Sequence, residues 1–188
     1  AVALPPLPHA ATPDPPADFP GVWSESGPLR ACVTCAPGDE FDVMVPGHIE
    51  RTRRGPGGAL EPNPDYLLFD DLVLLPLLQA EHALMVDVIR AVTGPRHCHD
   101  LRGMLQHVLA DPRVATQVID ETLELERQLR AGEAKAIGDL TEARRRLLDL
   151  GPGDLVPALL SGLHPHDDAP LLRWPMPNWM FARDNWAM

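Results

Sequence analysis

The sequence predicts a mixed α/β fold in which strands flank a block of helices instead of alternating with them. A short apolar segment, Leu29 to Cys35, is typical of a buried strand and is stopped by Pro37-Gly38. Helical periodicity then occupies residues 76–163, and strand-like segments return only at 171–176 and 181–188. We therefore expect an α/β domain that carries an inserted helical bundle.

The helical block is defined by its periodicity and by its start and stop residues. From Pro76, which suits a first helical turn, to the stop at Gly94, one stripe of apolar side chains comprises Leu77, Leu78, Leu84, Met85, Val88, Ile89 and Val92. Further helices are predicted at Asp100–Ala110, Val114–Arg130, Leu140–Leu150 and Leu155–Leu163. Asp139 to Glu142 has the character of a capping box, and Asp154 is expected to cap the last helix.

The rest of the chain divides by composition. Residues 1–21 are predicted to be a proline-rich tail, since seven prolines fall within the first twenty positions. Residues 22–75 and 164–188 are assigned to the α/β domain, and residues 76–163 to the helical insertion. The segment 51–64 is rich in Gly, Pro and Arg without periodicity, so we expect an exposed, mobile loop there.

Charge and composition restrict the kind of partner. The net charge of −11, from 27 acidic and 16 basic residues, argues against a nucleic-acid partner, which requires clustered Lys and Arg. The longest apolar stretch, Leu72 to Leu78, is far shorter than the roughly 20 residues that cross a bilayer. Three cysteines are too few for a disulfide scaffold in a chain of this length. A cytoplasmic protein without a membrane partner is therefore expected.

Polar groups concentrate near the end of the chain, between Pro175 and Asp184. An amide at Asn178, an aromatic ring at Phe181 and the pair Arg183-Asp184 are placed within a few residues of one another by a proline-stiffened approach. This pattern suits recognition of a small polar ligand. The alternative is a local ion pair between Arg183 and Asp184, with Phe181 filling the core.

Four sequence blocks, in their order along the chain, resemble the arginine deiminase family. They are Ser24-Glu25-Ser26-Gly27-Pro28-Leu29-Arg30, Tyr66-Leu67-Leu68-Phe69-Asp70-Asp71, the helix bearing Glu81-His82, and Pro175-Met176-Pro177-Asn178-Trp179-Met180-Phe181-Ala182-Arg183-Asp184. The resemblance covers about residues 22–188. The chain departs from the family pattern at Ala182, where the family has threonine.

The resemblance implies a fold, a reaction and a set of site residues. The fold would be the N-terminal part of a pseudo-fivefold α/β propeller, pentein-like, with an inserted helical bundle, and the reaction would be hydrolysis of free L-arginine to L-citrulline and ammonia. Asp184 would grip the guanidinium with support from Arg183, Asn178 and Phe181 would contact the amino-acid end, and Leu68 would line the pocket. A carboxylate suits that role because it can hold a planar guanidinium through two hydrogen bonds.

The same resemblance implies that this chain is inactive alone. The family's nucleophilic cysteine and its histidine belong to a later part of the sequence, so a C-terminal half, as a second chain, is the expected partner, with a homo-oligomer possible and no cofactor. Two other outcomes stay open: an amidinotransferase or ureido hydrolase of the same fold, or a module that binds guanidino compounds without chemistry.

Other clusters are given structural roles. Cys32 and Cys35 are three apart in a strand and so face opposite sides, which argues against a shared metal. The groups at 97–100 and 164–168 contain His, Cys and Asp but fall in predicted loops, and surface or capping roles are favoured there. Arg144-Arg145-Arg146 is expected to be a solvated, salt-bridged helix face. No metal site is predicted.

Overall fold

A computed structural model describes residues 27–67, 72–129 and 140–180 and contains both helices and small sheets, in agreement with the mixed α/β prediction. In chain order the elements are β1 (Cys32–Thr34), β2 (Thr52–Arg54), β3 (Leu60–Pro62), α1 (Leu75–Thr93), β4 (Cys98–Asp100), α2 (Leu101–Val108), α3 (Pro112–Leu129), α4 (Leu140–Leu148) and α5 (Pro152–Ser161). Single 3-10 turns cover Pro46–His48, Pro95–His97 and Pro177–Met180. Within these ranges, no helix is long and apolar enough to cross a membrane.

A parallel pair of strands, β1 and β4, is joined by α1. The register pairs Cys32 with Cys98 and Thr34 with Asp100, and α1 contacts both strands. Parallel strands need such a crossover, and α1 supplies it. The loop predicted at residues 97–100 is therefore wrong from Cys98 onward, because a three-residue strand shows its pairing only in the folded chain. This strand lies inside the segment 76–163, whose assignment as a separate subdomain stays a prediction.

The predicted mobile loop at 51–64 is also wrong, since β2 and β3 form an antiparallel hairpin there. Gly58, at φ +78°, makes the turn, and the Gly55 amide donates a hydrogen bond to the Ala59 carbonyl at 2.9 Å. Arg53 and Glu61 pair across the strands at 3.0 Å. The glycines of this segment favour irregular backbone in the sequence analysis, but glycines are equally typical of the turns of hairpins.

The predicted helices are present, with ends that differ from the predicted ones by up to three residues: α1, α3 and α5 begin earlier than predicted, and α2, α4 and α5 end earlier. Gly151 and not Asp154 is the N-cap of α5, because the helix begins at Pro152 and Asp154 lies in its first turn. At α2, the Asp100 side chain accepts a hydrogen bond from the Gly103 amide at 2.9 Å and caps the helix. The predicted cap at Asp139 lies outside the described residues.

Residues 171–176 form no strand, which corrects the sequence prediction. The amides of Leu171 and Leu172 both donate to the Gly162 carbonyl, at 2.8 and 3.0 Å, and the Met176 amide donates to the Leu160 carbonyl at 2.7 Å. These bonds tie the segment to the end of α5 instead of to a sheet. The strand predicted at 181–188 lies outside the described residues.

Most of the buried apolar side chains belong to a core among the helices. Ile119 and Leu147 are fully buried there with Leu155, while a smaller cluster of Phe41, Met44 and Leu75 lies beneath the start of α1.

The apolar stripe of α1 is only partly buried, against expectation. Leu78 and Ile89 are half-buried, but a larger set is exposed: Leu77, Leu84, Met85, Val88 and Val92. The helix buries Leu75 and Val86 instead. Apolar residues surround much of α1, so periodicity alone could not indicate which side faces the sheet.

Candidate functional site

Only one of the five predicted site residues lies in the part of the chain that the structure describes. Asn178 is half-buried in the 3-10 turn Pro177–Met180. Leu68, Phe181, Arg183 and Asp184 lie outside the described residues. Their roles therefore stay predictions.

The segments that adjoin these residues converge on one cavity of about 420 Å³. Tyr66 and Leu67, which immediately precede Leu68, form one wall, and residues 174–176, which lead into Asn178, form another. Helix α3 closes the cavity with Thr122, Leu125, Glu126 and Leu129. Two motif segments that are more than a hundred positions apart in sequence are thus brought together.

The first wall is fixed by hydrogen bonds to the segment before the hairpin. The Asn63 side-chain amide donates to the carbonyls of Gly47 and Glu50, at 2.6 and 2.8 Å, and the Leu67 amide donates to the His48 carbonyl at 2.7 Å. These contacts place Tyr66 and Leu67 at the cavity without a regular strand or helix.

The second wall is fixed by the end of α5. Gly162 adopts φ +77°, and a Cβ there would lie 3.1 Å from the Leu172 carbonyl oxygen. Only glycine combines this conformation with so close an approach. The chain therefore turns back tightly at Gly162 and directs Trp174 and Pro175 toward the cavity.

Three charged side chains, none singled out by the sequence, surround the junction of the two walls. The Arg173 guanidinium donates to Asp65 Oδ1 from Nε at 2.9 Å and from Nη2 at 2.6 Å, and it lies over the Trp174 ring at 4.6 Å. The Arg173 backbone amide donates to Glu126 Oε1 at 2.5 Å. No sequence signal could have connected these residues, because 108 and 47 positions separate the two pairs.

The cavity combines apolar walls and two aromatic rings with a nearby carboxylate. Glu126 is buried, at 5% exposure, while Tyr66 and Trp174 are half-buried. Each ring already has an arginine guanidinium over it, Arg51 over Tyr66 at 5.8 Å and Arg173 over Trp174 at 4.6 Å. The Glu126 carboxylate is therefore the group that would attract a further cation, and the apolar walls accommodate an aliphatic stem. A small cationic compound with a hydrocarbon chain is a suitable ligand.

The candidate metal clusters are not assembled into sites. In β4, Cys98 is buried while His99 is exposed. His164 and Asp167 pair at 3.0 Å, and His166 lies 3.4 Å from Asp154. In the described ranges, no group of three or more His, Cys, Asp or Glu side chains could hold a metal ion.

The arginine run on α4 is a salt-bridged face, as predicted. Arg144 pairs with Asp120 at 2.6 Å, Arg145 with Glu142 and Asp149 at 2.6 and 2.9 Å, and Arg146 with Asp167 at 2.5 Å.

The cysteine environments differ from that of a nucleophile. Burial raises the pKa of Cys35 to about 11 and also raises the pKa of Cys32. Cys98 is buried. An activated thiol needs the opposite shift, toward the thiolate at neutral pH.

Fold and cavity define a mixed α/β protein whose two motif segments share one ligand-sized site. No family model matches the sequence. The chain is similar to the arginine deiminases of Staphylococcus aureus strains JH9, Newman and Mu3, each 27% identical over 178 residues. The similarity covers 87% of this chain and 38% of each relative, so the chain spans less than two fifths of the length of these curated relatives. The relationship is distant and partial.

Proposed function

We propose that this chain is the N-terminal portion of a hydrolase that converts free L-arginine to L-citrulline and ammonia. One observation carries the proposal: the segments that lead into Leu68 and Asn178 line the same cavity. The distant similarity to arginine deiminases supports the same reaction class. The cavity's apolar walls and its Glu126 carboxylate suit a guanidinium on an aliphatic stem.

In this proposal Asp184 holds the guanidinium and Arg183 supports it. Two parallel hydrogen bonds to a carboxylate fix the plane of the cation and so orient its carbon for attack. Asn178 and Phe181 contact the amino-acid end of the substrate, and Leu68 lines the pocket. The half-buried position of Asn178, in a turn adjoining the cavity wall, is compatible with this role.

The chemical step requires groups from a C-terminal part of the protein. A cysteine thiolate attacks the guanidinium carbon, a histidine supplies the proton with which ammonia leaves, and water then cleaves the covalent intermediate to citrulline and regenerates the thiolate. The raised pKa values of Cys32 and Cys35 support a nucleophile from elsewhere. The proposed enzyme needs no cofactor, acts in the cytoplasm, and forms its site with the C-terminal half.

The test has two stages, binding and turnover. This chain is titrated with L-arginine by calorimetry as wild type, as Asp184→Asn and as Asp87→Asn, a matched control on the exposed surface of α1. We expect the first substitution to abolish binding and the second to leave it unchanged. The chain is then combined with the C-terminal part, and citrulline and ammonia are measured.

The outcomes separate the proposal from its rivals. Citrulline formation by the assembly, lost in Asp184→Asn, is the expected result. Amidine transfer to an added amine would identify an amidinotransferase, carbon dioxide release a ureido hydrolase, and arginine binding without turnover a binding module. A folded assembly that neither binds nor converts any guanidino compound would refute the proposal.

A further inference from the structure

Three charged residues from three separate parts of the chain meet beside the cavity, and we call this group the Arg173 junction. It consists of Arg173, Asp65 and Glu126. Asp65 directly precedes the wall that contains Tyr66, and Arg173 directly precedes the wall that begins at Trp174. Glu126 belongs to α3 and itself lines the cavity. The junction thus touches all three walls.

The contacts within the junction are directional, and the arginine is largely shielded from water while the Asp65 side chain is 37% exposed. Both Nε and Nη2 of Arg173 bond the same oxygen of Asp65, and the Arg173 side chain is only 11% exposed. The Glu126 carboxylate accepts a hydrogen bond from the Arg173 backbone amide. Arg173 is therefore held at both ends, by its main chain to α3 and by its side chain to the opposite wall.

Such an arrangement fixes the relative orientation of the two cavity walls more than it stabilises the fold. Burying charges costs desolvation energy, and apolar residues of similar size often stabilise a fold equally well or better. Hydrogen bonds to fixed partners, in contrast, define the relative placement of the two segments. The Arg173 cation also lies over the Trp174 ring, which fixes the orientation of that part of the wall.

We propose that Arg173 is a positioning residue, which sets the spacing and angle of the two motif segments and so prepares the cavity for its ligand. The inference rests on the proposed function for the identity of that ligand, a guanidino compound. A site that holds its ligand through bidentate contacts tolerates little misplacement, because the contacts depend on geometry.

Substituting Asp65 and substituting Arg173 should change the affinity for arginine by different amounts. Asp65→Asn removes a negative charge beside the site, which makes the site less attractive to a guanidinium, whereas Arg173→Gln removes a positive charge, which makes it more attractive. Both variants lose the alignment. We therefore expect arginine affinity to fall in both, and to fall further in Asp65→Asn, with a difference that shrinks as salt is added.

The experiment compares these variants with a matched ion pair whose two residues do not line the cavity. Arg144 bonds Asp120 through two hydrogen bonds, at 2.6 and 3.0 Å, and joins α3 to α4. The junction variants are Asp65→Asn, Arg173→Gln and the milder Arg173→Lys, and the control variants are Asp120→Asn and Arg144→Gln. For each, the dissociation constant of L-arginine and the amide hydrogen exchange of segments 63–67 and 174–179 are measured.

The expected result is that either junction substitution accelerates exchange in both segments and weakens arginine binding about tenfold or more. The control variants should do neither. Arg173→Lys keeps the charge without the two-point contact, so it should fall between wild type and Arg173→Gln. If Arg173→Gln does not fold, the dissociation constants and exchange rates of Arg173→Lys and Asp65→Asn test the proposal instead.

Failure of this inference differs from failure of the proposed function. If the wild-type chain binds arginine and the junction variants match the controls in both measurements, Arg173 is not a positioning residue. If no guanidino compound binds the wild-type chain, either alone or combined with the C-terminal part, the proposed function fails, and exchange alone then decides whether the two segments are coupled. If a substitution accelerates amide hydrogen exchange only in the segment that carries it, the two segments are not coupled through Arg173.

Discussion

The buried ion pair between Glu40 and Arg102 offers a quantitative test of how the two parts of the structure are joined. Glu40 follows β1 and its side chain is 1% exposed, while Arg102 is on α2 and its side chain is 15% exposed. Arg102 donates from Nη2 to Glu40 and from Nε to the Ala36 carbonyl at 2.6 Å. The same Glu40 oxygen accepts from the Gly38 amide at 3.0 Å. The pair therefore anchors α2 to the segment after β1.

The substitution Glu40→Gln removes the charge and nearly preserves the volume. Removing one partner of a buried ion pair costs about 3–5 kcal/mol, and hydrogen bonds to charged groups contribute about 1.5–3 kcal/mol each. Because glutamine keeps an acceptor oxygen and Arg102 retains some solvent, we expect the free energy of unfolding to fall by about 2–3 kcal/mol. With a urea dependence of about 2 kcal/mol per molar, the unfolding midpoint moves down by roughly 1–1.5 M.

Urea unfolding followed by far-ultraviolet circular dichroism measures this change. The control is Glu142→Gln, which disrupts an exposed pair with Arg145 on α4 and should not move the midpoint measurably. The double substitution Glu40→Met with Arg102→Met should recover part of the loss, since no unpaired charge remains. A Glu40→Gln midpoint equal to that of the control would refute the reasoning.

Three further predictions concern the backbone, a thiol and a histidine. Gly162→Ala should lower the free energy of unfolding by about 1–2 kcal/mol or more, because φ is +77° and the new Cβ would meet the Leu172 carbonyl. The control Gly151→Ala, with nothing near the new Cβ, should lower it far less in the same urea titration. Cys35, with a pKa of about 11, should resist iodoacetamide at pH 7.5 until urea unfolds the chain, and equally fast labelling of the native protein, measured by mass spectrometry, would contradict its burial. Burial lowers the pKa of His82, so as the pH falls the unfolded chain binds a proton at a higher pH than the folded chain does. The free energy of unfolding should therefore decrease below about pH 6.5, and His82→Gln should reduce that decrease between pH 7 and 5. An unchanged pH profile in the variant would argue against a role for His82.

The helices were predictable because their signals are local. Periodicity, the proline at a helix start and the glycine stop at Gly94 all act within one turn of the element they define, and α1 to α5 appear where these signals place them. The N-cap of α5 is an exception, since the sequence predicts Asp154 and the helix begins three residues earlier than expected, after Gly151.

The short strands required the folded chain. β4 consists of Cys98, His99 and Asp100, a sequence without strand character, and it is a strand because α1 returns it beside β1. The hairpin at 52–62 was missed because glycines that make its turn also indicate irregular structure. Residues 171–176 have strand-like composition, yet hydrogen bonds to the end of α5 hold them in another conformation.

The candidate site also combines residues that the sequence predicts with contacts that appear only in the folded chain. Recognition groups that occur close together in the sequence predict Asn178, Phe181, Arg183 and Asp184 as site residues, and the family resemblance adds Leu68. The sequence does not reveal the junction of Arg173 with Asp65 and Glu126, because nothing local to Arg173 indicates a partner 108 positions away.

By itself, the sequence determined the helical content and the acidic charge, and it indicated the two motif segments, since these depend on residue type and near neighbours. Only the tertiary structure decided that those segments meet at one cavity, that α1 leaves apolar side chains exposed, and that Arg173 joins the walls. Such features arise from contacts between residues distant in sequence, whose geometry is set by the packing of the whole chain.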